Sequence, residues 1–225
     1  YEHHFTGCIM KCTFVTCKIK NRCRIFSKIT FKKEGFLLEK IQRISTINLE
    51  RNFQEVERAL TNQEALEESN RCLYCYDAPC IKACPTGIDI PTFIKKIASG
   101  NLLGSAKTIM TSNPVGASCA RVCPTEELCE GACVLNHSTK PIMIGNLQRY
   151  ATDWAIKNEQ TLFEPGKPNG KSVAVVGGGP AGLSAARELA RFGYEVTIFE
   201  AAEKAGGLNT YGIVSFRLPP SISYW

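Results

Sequence analysis

Two short runs of cysteine carry most of the chemistry that this sequence offers. The first is Cys72-x2-Cys75-x4-Cys80-x3-Cys84-Pro85; the second is Cys119-x3-Cys123-Pro124-x4-Cys129-x3-Cys133. Thiols so crowded serve as disulfide partners, as zinc ligands or as iron–sulfur ligands. Disulfides suit an oxidising compartment, whereas the dinucleotide-type unit that follows belongs with a reducing one, so a cytoplasmic location is expected. Structural zinc sites usually present two Cys pairs separated by about 12–20 residues. Here four thiols fall in each run, and each run carries a Cys-Pro. Short runs ending in Cys-Pro are ferredoxin-type, and there the last Cys of one run commonly ligates the other cluster. A cubane presents four iron corners, so three ligands come from one tight loop and a fourth arrives from elsewhere. Eight thiols are enough for two [4Fe–4S] clusters. Zinc stands as the alternative, and spacing alone does not say which thiol goes where.

A glycine loop is the second chemical signal. Val173–Val176 runs into Gly177-Gly178-Gly179-Pro180-Ala181-Gly182, in which Gly177, Gly179 and Gly182 satisfy G-x-G-x-x-G. The motif gains weight because it follows an apolar strand and opens a helix, with Pro180 suited to a first helical turn. Glycines there allow a tight turn and the close approach of a pyrophosphate to a helix N-terminus. Glu200 ends the next strand, 18 residues beyond Gly182, where an acid binds ribose hydroxyls. From this unit alone the dinucleotide is FAD or NAD(P).

The elements that must position these groups divide in two. Residues 53–71 place Phe53, Val56 and Leu60 on one face of an expected helix that delivers the chain to Cys72. Helical patterns follow at 91–99, 103–112 and 145–158. EPGKPNGK at 164–171 reads as a linker. Beyond it come a strand at 172–176, a helix containing 186–193 and a strand at 195–200. The fold expected is an α-helical ferredoxin-like domain at 46–163, then the N-terminal part of an α/β Rossmann-type FAD-binding domain at 172–225.

Composition narrows the function classes. Of 225 residues 44% are hydrophobic and 21% charged, which excludes disorder throughout. No run of 18 apolar residues suggests a membrane-spanning helix. Residues 1–45 hold ten of the 27 Lys and Arg but only three acids, leaving 17 bases against 18 acids in the remainder. Neither a nucleic-acid nor a membrane partner is implied for that neutral body. The leader contains Cys8, Cys12, Cys17 and Cys23 at spacings that fit no standard site, shows no sustained period of 2 or 3.6, and is given no function. The start at Tyr1 and the tail PSISYW read as those of a fragment.

The strings CLYCYDAPCIKACPTGIDIPTFI, CARVCPTEELCEGACVL, IGNLQRYATD and VAVVGGGPAGLSAA, with the later GGLNTYGI and FRLP, resemble the dihydropyrimidine dehydrogenase family. The likeness is greatest to the flavin and iron–sulfur subunit of the bacterial NAD-dependent form. It covers about residues 47–220. The resemblance implies that Cys72, Cys75, Cys80 and Cys133 hold one [4Fe–4S] cluster. It implies that Cys84, Cys123, Cys129 and the amide oxygen of Gln148 hold the other, which makes Cys119 a bystander. It also implies FAD in the glycine loop, with Gly178, Gly179, Pro180 and Ala181 on the pyrophosphate, Glu200 on the ribose, and Leu208 and Arg217 as further contacts. The E-x5-GG spacing from Glu200 to Gly206-Gly207 favours FAD over NAD.

The activity implied is NAD(P)H-dependent reduction of the 5,6 double bond of uracil or thymine. Electrons pass from FAD through the clusters to an FMN- and pyrimidine-binding subunit or domain in a hetero-oligomer. No catalytic acid or base can be named, and the 225 residues alone are expected to be inactive on pyrimidines. The small subunit of glutamate synthase shares the layout and is the alternative; a non-enzymatic zinc-binding fragment is a third.

Overall fold

The computed structural model describes residues 55–223, together with the backbone of two strands, β1 (Cys8–Thr13) and β2 (Thr16–Ile19). Cys8, Cys12 and Cys17 fall on those strands, whose side chains are not described, and Cys23 and Phe53 lie outside the described residues. Among the described residues no helix is long and apolar enough to cross a membrane.

Helix α1 (Asn62–Asn70) starts later than the 53–71 pattern suggests. Thr61 caps it through a reciprocal box: its hydroxyl accepts from Glu64 N at 3.3 Å, and the Glu64 carboxylate accepts from Thr61 N at 2.8 Å. That box satisfies two otherwise orphaned donors and fixes the start. Residues 55–60 are therefore irregular, with Val56 62% exposed and its N–H donating to Phe216 O at 2.9 Å. The helical spacing of Phe53, Val56 and Leu60 is a coincidence that the capping chemistry overrides.

Five more helices and a 3-10 turn complete the Cys-rich part. They are α2 (Pro79–Ala83), α3 (Ile90–Ala98), α4 (Leu102–Ser112), α5 (Gly116–Val122), the turn at Val134–His137, and α6 (Ile144–Lys157). Asp89 and Asn101 cap α3 and α4 by accepting from Thr92 N and Gly104 N. Their apolar faces meet in a core of Ile88, Phe93, Ile94, Ile109, Ile142 and Leu147. Each such side chain, fully buried, contributes roughly 1.5–3 kcal/mol.

The second part is a βαβ unit: β3 (Ser172–Val176), α7 (Pro180–Arg191) and β4 (Glu195–Glu200), then short helices α8 (Leu208–Tyr211) and α9 (Pro220–Ser223). β3 and β4 pair in parallel with Val173 opposite Val196. Val196 and Ile198 pack with Ala186 of α7. The sheet order is β2-β1-β4-β3, with β1 antiparallel to β4 and Met10 opposite Ile198. The absence of periodicity in residues 1–45 gave no sign of these strands. The backbone of β1 pairs with the edge of β4, whose N–H and C=O groups would otherwise lie open, and β2 pairs with β1.

The Pro- and Gly-rich stretch at 164–171 is laced to the end of α7. Gly166 N donates to Ala190 O and Asn169 N to Gly193 O, each at 3.0 Å. The ring of Phe163 just before it faces the guanidinium groups of Arg187 and Arg191, 4.2 and 4.7 Å from its centroid. Such contacts are cation–π interactions of about 0.5–2 kcal/mol.

Candidate iron–sulfur and dinucleotide sites

Cys72, Cys75, Cys80 and Cys133 line a single cavity. Its other walls include Ile90, Ile94, Ile142 and Ile144, from the start and middle of α3 and the entry to α6. The short link between Cys72 and Cys75 turns at Tyr74, which takes φ 51°, a left-handed conformation that non-glycine residues seldom adopt. Two contacts hold it there: Tyr74 OH donates to Ser69 O at 3.0 Å, and Lys95 Nζ sits 4.6 Å from the ring centroid. Cys80 lies in α2, and Cys133 leads into the 3-10 turn.

The electrostatics of this cavity suit a cationic occupant. Burial first, then the neighbouring Cys72 and Cys133, pushes the Cys80 thiol up to about 11. Burial also raises Cys72. Four thiols that would repel one another as thiolates gain nothing from convergence unless a cation compensates them. Among the described residues, no three His, Cys, Asp or Glu side chains gather tightly enough to hold a single metal ion. Zinc also takes thiolate ligands, and four thiols lining one cavity are the donor type both groups use. That donor set fits a polynuclear iron–sulfur group with sulfur ligands and an aliphatic wall.

The second group is built from two helix ends. Cys84 caps the C-terminus of α2 with ψ 119°, and Cys123 caps that of α5 with ψ 139°. In each case the following proline excludes helical backbone at the Cys, so the helix stops and the residue turns extended. Cys129 sits in a compact turn where Thr125 O accepts from the N–H groups of Leu128, Glu130 and Gly131. The charges of Cys129 and Cys84 add to the rise of the Cys123 thiol. Burial, then Glu130, pushes Cys129 up to about 12.

Gln148 lies on α6, 7% exposed. Its Nε2 donates to Gly116 O at 2.7 Å. A carbonyl acceptor fixes which end of the amide faces Gly116, so Oε1 is turned away and is left available as a neutral donor. Cys119 lies one helical turn before Cys123, whose N–H donates to Cys119 O at 3.0 Å. The neighbouring Cys123 chiefly, with Asn113, lowers the Cys119 thiol below the ordinary thiol range. Cys119 first, then burial, raises the Cys123 thiol above that range.

At the glycine loop, Gly177 has φ +99°, which makes the sharp exit from β3. Gly179 caps α7 and Pro180 begins it. A Cβ on Gly182 would lie 1.9 Å from Gly177 O, so only glycine lets the helix pack this close to the strand end. Glu200 accepts from Gly178 N at 2.6 Å and from Ala202 N at 2.8 Å. The bond from Ala202 chiefly, with that from Gly178, holds its carboxyl below the usual range. Gly206 N donates to Gly178 O at 2.8 Å, and Gly207 lies against Gly179, where a Cβ would meet Gly179 Cα at 2.8 Å. Gly177–Gly182, Glu200 and Gly206-Gly207 thus form one backbone cradle. Leu208 follows it and is 73% exposed. Arg217 instead faces Glu57 at 3.6 Å, beside Glu55, Arg121 and Arg149.

Sequence reasoning missed that last cluster. Arg121 and Arg149, 3% and 9% exposed, share the carboxylates of Glu55 and Asp153, with Arg121 2.8 Å from Asp153. The four tie the irregular entry segment to α5 and α6. Only the Arg149–Asp153 spacing of i, i+4 signalled any part of it.

The fold and sites define an iron–sulfur domain joined to the start of a Rossmann-like dinucleotide-binding unit. Residues 49–160 match the family described as dihydropyrimidine dehydrogenase domain II, 4Fe-4S cluster, and residues 175–218 match the NAD(P)-binding Rossmann-like domain. The NAD-dependent dihydropyrimidine dehydrogenase subunit PreT of Escherichia coli K12 is 45% identical over 168 residues, 75% of this chain and 41% of the relative. The subunit of that name from Salmonella typhimurium LT2 is 46% identical over 158 residues, 70% of this chain and 38% of the relative. Residues 49–160 therefore belong to the iron–sulfur domain family of the dihydropyrimidine dehydrogenases. It spans about two fifths of the length of the curated relatives it matches.

Proposed function

We propose that the chain is the electron-transfer portion of an NAD(P)H-dependent dihydropyrimidine dehydrogenase, working with an FMN- and pyrimidine-binding partner. Cys72, Cys75, Cys80 and Cys133 hold one [4Fe–4S] cluster; Cys84, Cys123, Cys129 and Gln148 Oε1 hold a second. The cradle of Gly177–Gly182 and Glu200 takes FAD, and the segment 164–171 joins the two domains. When bound, these groups supply the conversion of a hydride's electron pair into single electrons. The chain's own part is positional. The α7 N-terminus and loop N–H groups receive a pyrophosphate, Glu200 orients the ribose, and the aliphatic wall keeps water from the first thiol group. The observation that carries this reading is the convergence of Cys72, Cys75, Cys80 and Cys133 on one cavity.

The test is to purify the chain anaerobically and assay iron, sulfide, zinc and flavin on the same sample. About eight irons and eight sulfides per chain are expected. Zinc without labile sulfide would overturn the reading. Glu200→Gln is expected to weaken dinucleotide binding about tenfold to a hundredfold, the worth of a hydrogen bond to a charged acceptor. Isothermal titration with FAD measures it, and unchanged affinity would move the ribose elsewhere.

A further inference from the structure

We infer that Glu68 and Glu130 are positioning residues that register the two thiol groups on the first turn of α6. The inference rests on the proposed reading of those thiols and of Gln148 as iron ligands.

The first turn of a helix leaves N–H groups with no partner inside the helix. Met143, at the start of α6, offers them no side-chain acceptor. Two carboxylates from distant segments serve instead: Met143 N donates to Glu68 Oε1 and Gly145 N to Glu130 Oε1, each at 2.9 Å. A negative charge there also meets the favourable end of the helix dipole. Each carboxylate stands beside one thiol group. Glu68 lies four residues before Cys72. Arg71 holds its carboxylate at 2.7 and 2.9 Å and donates to Lys140 O at 2.6 Å, which laces the end of α1 to the approach to α6. Glu130 follows Cys129 directly, in a turn that tolerates no side chain at Gly131, where a Cβ would stand 2.1 Å from Glu126 O. Gly145 and Gln148 are three residues apart and so share a side of α6. The Glu130–Gly145 bond therefore sets where Cys129 stands relative to the Gln148 amide. The approach is close, since a Cβ on Gly145 would lie 3.1 Å from Thr125 Cγ2 and 3.7 Å from Ala120 O. The start of α6 is thus a common reference point for both groups of ligands.

Removing a group that orients metal ligands typically costs about tenfold to a hundredfold in metal affinity. The experiment follows iron release from the anaerobic full chain into excess chelator, with EPR of each centre, for Glu130→Ala, Glu130→Asp, Glu130→Gln and Glu68→Ala. Glu130→Ala should release the iron of one centre about tenfold faster, with the release and EPR signal of the other unchanged. The labile centre should be the one that Gln148→Leu disturbs. Glu130→Gln keeps an Oε1 acceptor for Gly145 N and should match the unsubstituted chain. Glu130→Asp keeps the charge but falls one methylene short, and should release iron as Glu130→Ala does. It decides the matter where Glu130→Ala fails to fold. Glu68→Ala should labilise the opposite centre alone. Four results overturn the inference: unchanged release in the folded Glu130 variants, both centres labilised together, Glu130→Gln as labile as Glu130→Asp, or Glu68→Ala without effect on the opposite centre. An unsubstituted chain without labile sulfide would instead sink the underlying reading, and the inference with it.

Discussion

Replacing Gln148 by leucine is expected to halve the iron of the anaerobically purified chain, from about eight atoms to about four. Leucine is a good helix former of similar volume, so α6 should persist around a side chain that is already 7% exposed. What disappears is the amide. Its nitrogen no longer satisfies Gly116 O, which costs about 1–3 kcal/mol, and its oxygen no longer completes the donor set of Cys84, Cys123 and Cys129. The other centre draws on no residue of that set and should keep its spectrum. Gln148→Glu separates the two losses. It retains an oxygen donor but adds a negative charge and loses the N–H, so it should hold iron at a lower potential. Eight irons with both spectra intact in Gln148→Leu would refute the ligand role. Iron and sulfide analysis with EPR decides it.

How much of this was legible differs from element to element, for physical reasons. Strands 172–176 and 195–200 stand in the structure where the apolar runs placed them, because a βαβ unit is written in local patterns. The start of α1 was misplaced because periodicity was read without the Thr61–Glu64 box, a four-residue signal that was present in the sequence. β1 and β2 had no such signal. The pairing of β1 depends on the edge of β4, nearly 190 residues later, which no window contains.

The sites follow the same division. Short thiol spacing announces metal chemistry, but Cys133 joins Cys72 across 60 intervening positions only because the 3-10 turn and α3 bring them to one cavity. Gln148 has an ordinary helical residue type, and nothing local marks it. Its distinguishing feature, an amide pinned by Gly116 O, exists only after α5 and α6 pack. The paired arginines at 121 and 149 are equally silent, since charge in a helix usually means a solvated face.

Gly182→Val is expected to weaken dinucleotide binding about a hundredfold or more, about 2.8 kcal/mol, while leaving the iron content unchanged. The obstacle is backbone against backbone. A Cβ at 182 would stand 1.9 Å from Gly177 O and 3.1 Å from Gly177 C, and neither can swing aside as a long side chain does. The loop must therefore open, and with it the N–H groups at the start of α7 lose their aim at a pyrophosphate. Gly179 makes the useful contrast. The nearest atom to a Cβ there is Gly207 Cα at 3.9 Å, so Gly179→Ala fits the empty protein. Any loss of binding in that variant comes from the ligand meeting the new methyl group. Thermal melts and isothermal titrations with FAD and NADH, run on both variants, separate the cases: Gly182→Val should lose melting temperature and affinity together, Gly179→Ala affinity alone. If Gly182→Val binds flavin as tightly as the unsubstituted chain, the pyrophosphate does not sit on this loop. The resemblance to other glycine-rich turns would then describe packing and not chemistry.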